Sequence, residues 1–252
     1  MRDKIEVNGR SYSWPNVPLV VVCIDGSEPD YIEQAVENGL MPFTEKILSK
    51  GADLRVDSVI PSFTNPNNLS ILTGRPPAVH GISGNFFYDN SSDQEVMMND
   101  PSFLRAPTIF SEFEREGARV ALITAKDKLQ KLLGHGLTFG KGSSICFSAE
   151  KANEISLEDN GYENILEIAG LDLPSVYSAD LSEFVFAAGV KLMELEKPDL
   201  MYLSTTDYIQ HKYAPGNETA NKFYAMFDLS LIHISEPTRL LSISYGVFWL
   251  KK

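Results

Sequence analysis

The pair of residues best spaced to do chemistry is Asp207 and His211, in the run Asp207-Tyr208-Ile209-Gln210-His211. Four positions on a helical turn put both side chains on one face. They then offer an oxygen and a nitrogen donor to zinc or a similar divalent ion, which holds such ligands at roughly 2.0–2.2 Å. The same spacing also describes a helix-start acid with a solvent-facing histidine, so its surroundings must decide. Thr64 lies in Ser62-Phe63-Thr64-Asn65-Pro66-Asn67-Asn68. A proline just inside a helix start makes Thr64 or Asn65 a natural N-cap. A hydroxyl there also stands in the field of exposed backbone N–H groups, which stabilise an anion, and a metal-bound threonine would be an activated nucleophile. Asp25 directly follows one apolar run, and Lys126 and Lys128 follow another. Taken singly, an acid after a strand is often a helix cap, and a Lys-x-Lys pair is often a solvated helix start.

The elements that must position these groups alternate between apolar runs and amphipathic stretches, the pattern of an α/β fold with a parallel sheet. Leu19 to Ile24 reads as a strand ending at Asp25-Gly26, followed by a helix from near Pro29 with Ile32, Ala35 and Val36 on its apolar face. A second helix runs from about Pro42 to Ser49 and stops at Gly51; Leu54 to Ile60 reads as strand, and Asn67 to Thr73 as a short helix closed by Gly74. The stretch from Arg75 to Asp100 is loop-rich, Pro107 opens a helix to about Glu116, and Arg119 to Thr124 is a strand. Residues 136 to 160 show weak periodicity and are expected to form an excursion, with a small cap somewhere within about 136–180. Helix returns from about Ser182 to Glu196, and Leu200 to Ser204 is a strand leading to Asp207. In open α/β sheets ligands bind beyond the carboxyl ends of the strands, and Asp25, Lys126 and Asp207 all follow such ends.

Composition narrows the function. With 22 Lys plus Arg against 34 Asp plus Glu among 252 residues, the formal charge is −12, which argues against a nucleic-acid binder. A hydrophobic fraction of 43% supports a sizeable core. The longest apolar run in the body, Leu19 to Ile24, is far short of the roughly 20 residues of a membrane span. The first residues are polar and of mixed charge, unlike a secretory signal, so a cytoplasmic location is expected. Cys23 and Cys146 both sit among apolar neighbours and are expected to be inert core thiols. From about Ser230 the text changes character, and Pro237 interrupts any helix begun by Phe223 to Leu229. Residues 230–252 resemble translated sequencing-adapter text and are expected to be a non-native tail on a domain of residues 1–229.

Several motifs in order carry a family resemblance: Val21-Val22-Cys23-Ile24-Asp25-Gly26, Pro61 to Asn68, Leu72 to Asn85, Thr124 to Lys128, and Ser204 to His211. Over roughly residues 17 to 229 the chain resembles the phosphonoacetate hydrolases of the alkaline phosphatase superfamily. The resemblance implies a three-layer α/β/α sandwich, C-terminally incomplete here. It also implies two zinc ions, with Asp25 and Thr64 at one and Asp207 and His211 at the other. The family's remaining ligands, an Asp-His pair and one more histidine, come from later sequence; His233 lacks a preceding acid and is not assigned. Thr64 would attack phosphorus to give a phosphothreonine, Lys126 and Lys128 would hold the substrate carboxylate, and Asn85 would donate to a phosphonate oxygen. His80 and His135, each followed by glycine, are expected to serve turns. The implied partner is a small phosphonate, with neither nucleic acid nor membrane, and a homodimer is compatible with it. Two other readings stand beside this one: a type I phosphodiesterase or nucleotide pyrophosphatase of the same superfamily, and an inactive fragment lacking three metal ligands.

Overall fold

Four apolar runs meet side by side in one parallel sheet, in the order Leu19–Cys23, Leu200–Ser204, Val120–Thr124 and Ile145–Ser148. The structure, a computed structural model, describes residues 4–235 and 247–251. Every residue of the Leu200–Ser204, Val120–Thr124 and Ile145–Ser148 strands is buried, which is why these runs are apolar throughout instead of alternating with polar residues.

The strand period of two sends successive side chains to opposite layers. Ala121, Ile123, Ile145, Phe147, Met201 and Leu203 pack against helices Pro29–Glu37, Pro42–Lys50, Asp180–Leu195 and Glu218–Ser235. Val120, Leu122, Cys146, Leu200 and Tyr202 pack against helices Thr64–Thr73, Ile109–Arg115 and Asp127–Leu133. Helices cover both faces, giving the three-layer α/β/α arrangement the resemblance implied. Each fully buried Val, Leu or Phe contributes about 1.5–3 kcal/mol, so these two layers hold the sheet's carboxyl edge in place. Helix Pro42–Lys50 has no side-chain cap of its own. Its first amides are capped from the far end of the chain by the buried Asp228 carboxylate, which accepts from Phe43 N at 3.0 Å, Thr44 N at 2.7 Å and Thr44 Oγ1 at 2.7 Å.

Two expectations change. Residues 136–160, read as an excursion or small cap, contain the sheet's edge strand Ile145–Ser148; a four-residue run buried on both faces has no periodicity to reveal it. The strand expected at Leu54 to Ile60 is Asp53–Asp57, exposed along its length and paired in parallel with Val247–Lys251, outside the four-stranded sheet. Three charges in five residues exclude it from a buried layer. The last long helix runs from Glu218 through Ser235, with Leu231 and Ile234 in the core beside Phe227. Of the tail expected at 230–252, residues 236–246 and 252, Pro237 among them, lie outside the described residues. Loop-rich Arg75 to Asp100 contains the single turn Pro77–His80 and a hairpin of Phe86–Asp89 with Gln94–Met97. No helix among the described residues is long and apolar enough to cross a membrane.

Candidate active site

Parallel pairing of Leu19–Cys23 with Leu200–Ser204 sets Cys23 opposite Ser204, so the segments carrying Asp25 and Asp207 leave the sheet side by side. The contact continues past the strand ends. Thr205 N donates to Cys23 O at 3.0 Å, and Asp25 N donates to Thr205 Oγ1 at 3.2 Å. At Gly26 the chain takes a left-handed turn, φ +71°, and passes so close to the next loop that a Cβ there would lie 3.0 Å from Asp207 Cβ and 3.1 Å from Gln210 Cβ. Beneath this turn, Ser27 Oγ lies 2.8 Å from Tyr224 Oη, which also accepts from Gln210 Nε2 at 3.0 Å. The Asp25 loop and the Asp207 loop are therefore tied to one another directly.

Helix Thr64–Thr73 arrives at the same edge. Phe63, not Thr64 or Asn65, is its N-cap, and Thr64 is the first helical residue. The Thr64 hydroxyl is consequently not spent on capping: its Oγ1 donates to Asp25 Oδ2 at 2.9 Å. Asn85 reaches the same turn, its Oδ1 accepting from Asn65 N at 3.3 Å, while Asn65 Nδ2 donates to Met98 O at 2.9 Å. On the other side, His211 Nε2 lies 2.7 Å from Asp207 Oδ2 across one helical turn, with His211 largely exposed. Asp25 and Thr64 thus form one hydrogen-bonded pair, with Asn85 held beside it through the Asn65 amide, and Asp207 with His211 forms a second against the Asp25 loop.

Lys126 follows the neighbouring strand Val120–Thr124, whose next residue, Ala125, donates from N to Ser204 O at 2.8 Å. Lys126 is the N-cap residue of helix Asp127–Leu133. Its ammonium donates to Val176 O and stands 5.2 Å from the centre of the Tyr177 ring. Lys128 is exposed on the first turn of that helix.

The donor set of two carboxylates, a hydroxyl and an imidazole suits a zinc-like ion. Each pair supplies two donors, whereas a catalytic zinc takes about three from protein. Among the described residues no group of three or more His, Cys, Asp or Glu side chains is placed to hold a metal ion. The donor chemistry fits such ions; the count within the described residues falls short of a closed shell.

The remaining histidines and thiols behave as structural groups. His80 is fully buried, its Nδ1 accepting from Ile82 N at 3.2 Å and its Nε2 lying 3.0 Å from Ser70 Oγ. Burial pushes its pKa down to about 4, so the ring is neutral and serves the turn. His135 is exposed beyond helix Asp127–Leu133. Cys146 is driven up to about 12 by burial, and Cys23 to about 12 by burial and then by the Asp25 carboxylate, so both stay thiols. Sequence reasoning passed over Asn68, Thr205 and the tight approach at Gly26. A signal existed for Asn68: a poor helix former four residues after Thr64, hence on its face.

The family model for type I phosphodiesterase / nucleotide pyrophosphatase matches residues 19–236. A phosphonoacetate hydrolase from Sinorhizobium meliloti, solved in complex with phosphonoacetate, is 56% identical with a TM-score of 0.91, covering 94% of this chain and 58% of that one. An uncharacterized pyrophosphatase/phosphodiesterase of Schizosaccharomyces pombe is 29% identical over 91% of this chain and 42% of its own length. Murine ectonucleotide pyrophosphatase / phosphodiesterase 5, at 19% identity and a TM-score of 0.57 over 87% of this chain and 52% of its own, shares the fold. This chain therefore spans a little over half the length of the solved hydrolase and under half that of the yeast relative. With the match running through nearly all of the described residues, the chain belongs to the type I phosphodiesterase / nucleotide pyrophosphatase family.

Proposed function

We propose that this protein is a hydrolase that cleaves the carbon–phosphorus bond of phosphonoacetate, giving acetate and phosphate, with Thr64 as nucleophile. The observation that carries the reading is the Thr64 Oγ1 to Asp25 Oδ2 hydrogen bond at a helix start on the sheet's carboxyl edge. The likeness to a hydrolase solved with phosphonoacetate supports the choice of substrate.

Asp25 orients the Thr64 hydroxyl and takes up its hydrogen bond, leaving an oxygen lone pair free to point at phosphorus. Attack breaks the Thr64 O–H bond, its proton passing to the Asp25 carboxylate, and forms the O–P bond as the C–P bond breaks; the electron pair goes to the methylene carbon, where it is shared with the carboxylate as an enolate, and that proton, relayed through solvent, completes acetate. Lys126 and Lys128 bind that carboxylate and stabilise the charge that builds on it. The Asn85 amide, already at the Thr64 turn, would donate to a phosphonate oxygen. Water then hydrolyses the phosphothreonine. Two zinc ions, held at Asp25 with Thr64 and at Asp207 with His211 and completed by donors beyond these, would supply charge neutralisation and an acidified nucleophile.

Membership of a phosphodiesterase family favours a second reading, a nucleotide diester or pyrophosphate substrate. Lys126 separates the two. Supplied with zinc, a version of the protein that carries the remaining metal donors is expected to release acetate and phosphate in equal amounts, and Lys126→Ala in it is expected to lower that turnover by about 100-fold or more, as loss of an electrostatic stabiliser does, with zinc content unchanged. Unchanged phosphonoacetate turnover in the variant, or cleavage of a nucleotide diester with none of phosphonoacetate, would refute the assignment. Fewer than two tightly held zinc ions together with no turnover would mark this chain as an inactive fragment.

A further inference from the structure

Directly behind the Thr64 turn lies a buried amide that the mechanism above does not use. Asn68 is 2% exposed, Tyr202 and Ser204 are both fully buried, and the three side chains meet between helix Thr64–Thr73 and strand Leu200–Ser204. Asn68 Nδ2 donates to Thr64 O at 2.9 Å. Its Oδ1 accepts from Tyr202 Oη at 2.6 Å and from Ser204 Oγ at 3.3 Å. The orientation of the amide is forced: a backbone carbonyl only accepts, so the NH₂ must face Thr64, and both hydroxyls must donate to the oxygen. Burial holds the Tyr202 phenol well above its usual range, so its proton is available to donate.

We propose that Asn68 is a positioning residue, locking the peptide plane of Thr64, and with it the Thr64 hydroxyl, to the strand that delivers Asp207. Packing alone does not call for an amide here. The neighbours on this layer are Leu69, Leu72, Phe110, Val120 and Leu122, and a leucine would be the better helix former. What the amide adds is a fixed link in both directions. Toward the helix it holds the carbonyl of the residue whose hydroxyl meets Asp25. Toward the sheet it holds Ser204, whose successor Thr205 accepts from Asp25 N. Both partners of the Thr64–Asp25 bond are thus referenced to the end of one strand. The other asparagines of the turn act elsewhere: Asn65 Nδ2 bonds Met98 O, and Asn67 bonds Phe63 O and Val59 N.

The inference rests on the reading of Thr64 as nucleophile, and its test keeps the two apart. Threonine is labelled at the methyl carbon, and three-bond couplings report the Thr64 side-chain rotamer in the zinc-supplied protein. In the parent a single rotamer is expected. In Asn68→Asp, which keeps the shape and removes the donor, the couplings are expected to average. For phosphonoacetate, kcat is expected to fall by about 10–100-fold, the scale of a roughly 1 Å misplacement, with KM within about twofold. Tyr202→Phe, which conserves volume, is expected to move the couplings in the same direction, and it decides the matter if Asn68→Asp does not fold. Ser70→Ala serves as the control, because Ser70 Oγ bonds His80 Nε2 and Pro66 O on the same helix. It is expected to lower stability while leaving the Thr64 couplings and kcat as they were. A single Thr64 rotamer retained in Tyr202→Phe and in any folded Asn68→Asp would overturn the proposal. The couplings can be read without turnover, so absence of phosphonoacetate hydrolysis would count against the substrate reading alone.

Discussion

Replacing Gly26 by alanine probes the contact that brings the two acid-bearing loops together. Two costs add. The backbone at φ +71° lies in the left-handed region, which costs a residue with a Cβ about 1–2 kcal/mol. The new Cβ would also meet Asp207 Cβ at 3.0 Å and Gln210 Cβ at 3.1 Å, where carbon atoms prefer about 3.5–4.0 Å. Both contacted atoms are rooted on the backbone and cannot swing away, so the loops themselves must part by several tenths of an ångström, at about 1–3 kcal/mol. The expected total is about 2–5 kcal/mol. Gly39 isolates the second cost: its φ is +69°, yet nothing lies within 4 Å of its would-be Cβ, so Gly39→Ala carries the backbone cost alone. Thermal or urea unfolding of the two variants measures the difference. At roughly 2–4 °C per kcal/mol for a chain of this size, Gly26→Ala should melt several degrees below Gly39→Ala. Equal destabilisation would mean that the Asp25 and Asp207 loops are not in contact, and the site described above would lose its geometric basis.

Two other perturbations test the scaffold. Asp228→Ala strands the Phe43 and Thr44 amides and the Thr44 hydroxyl in the core; at about 1–3 kcal/mol for each unmet buried group, partly relieved by relaxation, a loss of about 3 kcal/mol is expected in urea denaturation, and a loss below about 1 kcal/mol would contradict the capping role. His80 makes stability depend on pH with a definite sign. Its folded-state pKa of about 4 lies below its ordinary 6.5, so the unfolded chain binds the proton more readily; the neutral ring's contribution is complete above 6.5 and is lost as pH falls toward 4. The loss from this group should reach about 3 kcal/mol, and His80→Asn should flatten the profile between these two values. An identical profile in the variant would show that His80 is not the group responsible.

Much of the architecture was legible in the residues because local periodicity and chain punctuation are local physics. Leu200 to Ser204 is a strand as read, and the helix from Pro29 starts where its proline predicts. The four-residue spacing of Asp207 and His211 puts them on one helical face before any fold is known. Local signals misled where the deciding partner was remote. Ile145–Ser148 is a strand because Val120–Thr124 pairs with it, and Asp53–Asp57 has strand character without a place in the buried sheet. Thr64 was free to be read as a cap until Asp25 stood opposite it. That Asp25, Thr64 and Asp207 are neighbours, that Asp228 caps a helix 185 residues before it, and that Asn68 meets Tyr202 134 residues away were decided by strand order together with the packing of helices on the sheet. Side-chain periodicity records which face of an element is buried; which elements then lie together depends on how the crossovers close, and no short stretch of sequence carries that information.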